Sequence, residues 1–158
     1  MAESRLVTPL LLFRRVAVAE AITWALLLVG MFLKYVTETT DLGVRIFGMV
    51  HGVVFLAYGL VALVTWVNQR WPLGVGLLAV LSAIPPFATI LFDRRAESAG
   101  LLEGPWRFGA GGETPASPPE KVLAWLTRQP ALAAVVGVVA VAALTGAALL
   151  VGPPASGS

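Results

Sequence analysis

One carboxylate, Glu20, lies inside an otherwise apolar run, FRRVAVAEAITWALLLVGMFLKY, with Arg14 at one end and Lys34 at the other. Carrying an acid into hydrocarbon is costly unless it is paired or neutralised, so such a residue is a functional-site candidate by default. Two chemistries are open to it. It can act as a clamp that finds a cation inside a helical bundle, or as a protonatable or ligand-binding carboxylate. The single histidine, His51, lies in a second apolar run, and Tyr58, seven residues on, shares its helical face. Ser82 and the pair Pro85-Pro86 lie in a third.

Depth decides which of these groups can meet. At about 1.5 Å per residue, Glu20 lies about one turn into the first span from its N-terminal side. His51 lies about two turns into the second span from the opposite side, so the two are expected roughly 15 Å apart along the membrane normal. That spacing argues against a Glu20–His51 proton-handling pair. Glu20 is instead expected to meet groups at the short connection after the second span, with Arg70, Asn68 and the N-terminal arginines all within reach and Arg70 as the candidate clamp. His51 is expected level with Pro85-Pro86, where the prolines free the carbonyls of Leu81 and Ser82 and the Ser82 hydroxyl offers a further partner. A haem or metal role for His51 needs more ligands than one histidine and no cysteine supply within one chain. Lys34 is expected to reach the far interface and meet Glu38 or Asp41. No nucleophile constellation, P-loop, dinucleotide fingerprint or HExxH motif is present, so no catalytic, cofactor-binding or metal-binding residue is assigned.

The elements that must hold these residues follow from hydropathy. The chain has 158 residues, 58% hydrophobic and 13% charged, and the mean hydropathy is +0.84. A water-soluble domain needs more charge than that, and here the apolar residues gather in long runs, the pattern of membrane spans. The expected fold is an all-α polytopic membrane bundle: three core transmembrane helices and a fourth C-terminal one after a flexible linker. An N-terminal segment (1–12) precedes a three-helix membrane domain (13–95) with spans at about 16–36, 44–66 and 72–92. A disordered Gly/Pro-rich linker (96–119) follows, then an interfacial helix and fourth span (120–152) and a tail (153–158). Pro85-Pro86 is expected to kink or break the third helix. Gly48 and Gly52 stand in GxxxG spacing, and Ala133/Gly137 and Ala142/Gly146 in small-xxx-small spacing, patterns that let helices approach closely. Net charge is +2 with no long basic run, which excludes a nucleic-acid surface. Arg5, Arg14 and Arg15 place the N-terminus in the cytoplasm. Arg94, Arg95, Arg107, Lys121 and Arg128 pull the other way, because four crossings would put the linker outside.

Phe13-Arg14, Ala19-Glu20-Ala21, Lys34-Tyr35, Gly48, His51-Gly52, Phe55, Tyr58, Pro85-Pro86-Phe87 and Asp93-Arg94-Arg95 occur here in one ordered series. In that series the chain resembles the YdzA-like family of small bacterial integral membrane proteins, a domain of unknown function, over about residues 13–95. The resemblance implies a three-helix membrane domain and no established activity. The expected function is a non-catalytic accessory, assembly or scaffold component of the bacterial plasma (inner) membrane, without enzyme activity. Its partners would be the lipid bilayer and a membrane protein complex or homo-oligomer, met through Gly48/Gly52 or the fourth helix. The alternative is a small oligomeric transporter or proton-coupled carrier using Glu20 and His51.

Overall fold

A computed structural model describes residues 7–152; Arg5 with the rest of 1–6, and the tail at 153–158, lie outside the described residues. Six helices are present among the described residues: α1 (Pro9–Tyr35), α2 (Leu42–Gln69), α3 (Leu73–Leu81), α4 (Ala88–Ser98), α5 (Pro118–Arg128) and α6 (Pro130–Val151). No strand occurs among the described residues. The fold is thus an all-helical membrane bundle, as composition implied. α1 starts at a proline, whose missing N–H is not needed in a first turn, and the Thr8 hydroxyl caps it by accepting from Leu11 N at 3.2 Å. α1, α2 and α6, of 27, 28 and 22 residues, are each long and apolar enough to cross a bilayer.

α1 and α2 run antiparallel, and two glycines set their register. A Cβ on Gly30 would lie 2.7 Å from the Gly43 carbonyl carbon and 2.8 Å from Val44 N, so only bare glycine lets the backbones come this close. The expected GxxxG pair does not make this crossing. Gly48 would reach only Leu27, and Gly52 faces open space. From the glycine contact the helices stay in step, through Thr23 beside His51 to Phe13 beside Tyr58.

The segment expected as one span over 72–92 is two short helices that fold back on themselves. α3 descends beside α2, and Tyr58 donates to Ala79 O at 2.8 Å. The chain turns at residues 82–87, where the Trp24 indole donates to Ala83 O at 3.2 Å, and Phe87 takes a left-handed conformation, φ 65°. α4 then returns along α1, with Thr89 beside Ala17 and Asp93 beside Arg14. Both ends of this hairpin lie on one side of the bundle: Trp71, before α3, donates to Leu101 O, after α4, at 2.8 Å. With 9 and 11 residues the two helices measure about 13 and 16 Å, so neither reaches across a hydrocarbon core of about 30 Å. The expected break at Pro85-Pro86 is present, but it reverses the chain rather than kinking it.

All three elements meet at Phe13. Its fully buried ring lies 5.6 Å from that of Tyr58, 6.0 Å from Trp71 and 5.7 Å from Phe92, at edge-on or tilted angles. Lipid tails are as apolar as a core, so the cohesion here comes from packing and aromatic geometry rather than from expelling water.

Residues 99–117, expected to be disordered, form a packed loop on the side where α1 begins. Leu102 and Phe108 are buried, and Trp106 donates its indole N–H to Val7 O at 2.7 Å. α5 follows through a capping box of Ser117 and Glu120, burying Leu123 and Ala124 against Phe108. α6 then runs antiparallel to α2 with no fully buried residue. Between them lies a largely apolar cavity of about 780 Å³ lined by Ala57, Leu60, Gly137 and Gly146, among others, with Thr145 as its polar side chain.

Candidate functional site

The polar side chains inside the bundle sit on the faces that α1, α2 and the hairpin turn towards one another. On α1 the buried stripe is Phe13, Ala17, Glu20 and Ala21, and on α4 it is Thr89, Phe92, Asp93 and Ala96, both at helical spacing. Glu20 is fully buried between them. Its Oε2 lies 2.8 Å from the Thr89 hydroxyl, which also lies 3.1 Å from Ala17 O, while its Oε1 has no hydrogen-bond partner. The expected clamp to Arg70 is not made. Arg70, at the end of α2, is exposed and pairs with Glu113 at 2.9 Å, while Thr89 of α4 takes the place beside Glu20.

His51 is also placed differently. It packs against Trp24 and Phe55, ring centroids 4.6 and 6.1 Å away, and its Nδ1 lies 2.9 Å from the Thr23 hydroxyl on α1. Thr23 donates its one proton to Glu20 O at 2.9 Å, so Nδ1 must donate to Thr23. His51 therefore does not reach the Leu81 and Ser82 carbonyls. Tyr58 takes that place, donating to Ala79 O, with Ser82 Oγ 2.9 Å away. The glycine-set register brings His51 to within one turn of Glu20, about 5 Å in height rather than 15. The two still make no direct hydrogen bond.

Arg14 turns inward, its Nε donating to buried Asp93 at 3.0 Å and its Nη2 to Glu97. Asp93 Oδ1 is left without a partner. Lys34 lies over the Tyr35 ring at 5.1 Å, and no ion pair to Glu38 or Asp41 forms among the described residues. Pro85 and Pro86 are exposed at the hairpin tip. The structure thus brings Glu20, His51, Tyr58 and Ser82 into one bundle interior, sets the half-buried Arg14 at its edge and leaves Lys34 outside it. It adds Thr23, Thr89 and Asp93. The repeat Thr89, Phe92, Asp93, Ala96 was the signal for the last two, hidden while Asp93 read as the end of a span.

A second polar centre closes the loop side. Arg107 donates its backbone N–H to Asn68 Oδ1 at 2.9 Å, its Nη2 to Val67 O at 2.8 Å and its Nε to Asn68 O, satisfying carbonyls at the end of α2. Its guanidinium also pairs with Glu113 at 3.0 Å and Glu120 at 3.4 Å. Backbone N–H groups of Ala116 and Ser117, at 2.9 and 3.2 Å, together with Arg107, hold the Glu120 carboxyl down at about 2 from its ordinary 4.5.

The hairpin and the two helices that carry it match, over residues 10–98, the family described as a domain of unknown function, DUF3817. The chain belongs to that family. The DUF3817 domain ends with α4, so α5, α6 and the loop before them are additions to it, while every polar group of the bundle interior lies within it. Two membrane-protein relatives match it. The chain is 47% identical over 94 residues to "Putative membrane protein SCO5905" of Streptomyces coelicolor, covering 59% of this chain and 11% of that protein. It is 34% identical over 88 residues to the membrane protein YdzA of Bacillus subtilis, covering 55% of this chain and 91% of that one. The chain thus spans about a tenth of the length of the first relative and nearly all of the second. No solved structure matches it.

Proposed function

We propose that this protein is a non-catalytic accessory module of the bacterial plasma membrane that docks sideways on another membrane protein. The carrying observation is how its domain recurs. The same unit makes up nearly all of one small membrane protein and about a tenth of a much larger one. A unit used both alone and joined to a larger chain suits a part that is brought to a partner, and joining the two raises their effective concentration. The slot between α2 and α6 supports the reading. Gly137 and Gly146 face it with open space where a side chain would be, and small residues at such a place let another helix approach closely.

The same fold supports one orientation. Among the described residues, Arg14, Arg15, Arg70, Arg94, Arg95, Arg107, Lys121 and Arg128 cluster on the side where α1 begins, and only Lys34 and Arg45 lie on the other. With the hairpin returning to its starting side, the loop no longer conflicts with the N-terminal arginines. By the positive-inside rule this distribution supports a cytoplasmic N-terminus and loop.

Extraction of the native protein in mild detergent should bring down a membrane partner, and filling the slot with Gly137→Leu and Gly146→Leu should release it. A stable, partner-free protein would overturn the docking reading. A proton-coupled carrier is the second reading, favoured by a broken helix whose returning half meets Glu20. Liposome flux unchanged in Glu20→Gln and His51→Ala would remove it.

A further inference from the structure

Glu20 lies about 16 Å along α1 from Pro9, roughly half-way through a 30 Å hydrocarbon core. It is fully buried, and no Lys, Arg or His pairs with it among the described residues. The charged and titratable groups around it are accounted for. On its own helix, Arg14 is held by Asp93 and Glu97. On α2, His51 is held by Thr23, and Tyr58 donates to Ala79 O on α3. On α4, Asp93 faces Arg14. Thr89, which touches Glu20, is the second residue of α4, a half-helix whose N-terminus points into the membrane with no side-chain cap.

Hydrogen-bond counting then limits the state of the carboxyl. Thr89 has one hydroxyl proton and two acceptors within reach, Ala17 O and Glu20 Oε2. If Glu20 carries a proton on Oε2, it donates to Thr89, and Thr89 donates to Ala17. Every donor is then used and no charge is left without a partner. If Glu20 is ionised, Thr89 must share its proton between the two acceptors and Oε1 stays without a partner.

We propose that Glu20 is a proton-binding site, loaded from the arginine-rich side of the bundle by way of Thr89 and Asp93. Asp93 stands one turn from Thr89 on the same face of α4, and its free Oδ1 and its neighbour Arg14 lead to that surface. The exchange is a simple one: a proton taken from water adds to a carboxylate oxygen, and no other bond changes. The site is independent of whether a partner docks at α6.

The test is infrared difference spectroscopy of the full chain in lipid at neutral pH, wild type minus Glu20→Gln. The expected difference is the carbonyl stretch of an un-ionised carboxylic acid. In Thr89→Val the band should persist and move to higher frequency, as the acid loses its acceptor. In heavy water it should shift as the proton exchanges, and at least tenfold more slowly in Asp93→Asn. A carboxylate stretch in place of the acid band overturns the site. A normal acid band that exchanges equally fast in Asp93→Asn overturns the route. Band position and exchange rate are not set by stability alone, so a loss of folding would not imitate these results.

Discussion

Replacing Gly30 with alanine tests the helix crossing on which the site geometry rests. The added Cβ would sit 2.7 Å from the Gly43 carbonyl carbon, 2.8 Å from Val44 N and 3.0 Å from Gly43 O. Carbon atoms in contact sit ~3.5–4.0 Å apart, and all three neighbours are backbone, so α1 and α2 must separate by close to 1 Å at that point. The Thr23–His51 hydrogen bond, at 2.9 Å two turns away, has little slack to absorb such a shift. Forcing one carbon into a filled contact typically costs about 1–3 kcal/mol, roughly a 5- to 150-fold fall in the folded-to-unfolded ratio. Gly43→Ala should cost less, because its Cβ would stop at 3.0 Å from Gly30 Cα. Gly52→Ala and Gly59→Ala, with nothing within 4 Å, should be neutral or slightly stabilising, since alanine is the better helix former. Titrating the purified variants with a denaturing detergent and following helicity gives the order directly. If Gly30→Ala unfolds at the same point as Gly52→Ala, the glycine crossing is wrong, and with it the placement of His51 beside Thr23.

Three further outcomes follow from the two polar centres. Thr89→Val removes the hydroxyl that meets the Glu20 carboxyl and should destabilise by about 1–3 kcal/mol, while Glu20→Leu added to it should recover much of the loss, since replacing both partners by apolar groups removes the unmet bond. Denaturing-detergent titration of the two variants checks this. Arg107→Ala strips the carbonyls of Val67 and Asn68 of their donor, and amide exchange should rise over residues 66–71; Arg107→Lys should not restore protection, because a point charge cannot reproduce the fork. Glu120 titrates at about 2 in the folded protein against an ordinary 4.5. Its contribution is therefore fully present above about pH 4.5 and is lost as pH falls towards 2, so thermal melts of wild type should drop across that window more than those of Glu120→Gln.

The apolar runs of α1, α2 and α6 were legible because a membrane demands length and hydropathy and little else. The break at Pro85-Pro86 was legible because two missing donors leave a helix no alternative. Its direction was not. Apolar composition cannot tell a helix that crosses from one that enters and returns, and residues 72–92 satisfy either reading. The fuller signal was the pattern after the break. Thr89, Phe92, Asp93 and Ala96 are buried while Arg94, Arg95, Glu97 and Ser98 are exposed, which describes an amphipathic helix lying on a neighbour as it climbs towards water. Depth failed for a related reason. Aligning α1 and α2 by the ends of their apolar runs ignores Gly30 and Gly43, which slide one helix past the other by nearly two turns, about 10 Å, and bring His51 close to Glu20. Composition also hid the order in residues 99–117. Glycine and proline permit disorder there, but Trp106, Arg107 and Phe108 each find a buried partner.

A turn in mid-membrane makes the prolines more than helix breakers. Where water is absent, each backbone N–H without a partner costs free energy, and reversing a chain there exposes the last carbonyls of one helix and the first amides of the next. Pro85 and Pro86 carry no amide hydrogen, so the tip begins with two fewer donors to satisfy. Three more are met locally: Ala83 N donates to Val80 O, Ile84 N to Leu81 O and Ala88 N to Pro85 O, each at 3.1–3.3 Å. The carbonyl of Ala83 is met by the Trp24 indole, and that of Ala79 by Tyr58 and Ser82. The start of α4 is different. No side chain caps it, and the nearest acid is Glu20, joined through Thr89. The reversal that keeps α4 from crossing the membrane is therefore also what places a half-helix terminus beside the one carboxyl buried at mid-depth. Fold and site are consequences of the same two prolines.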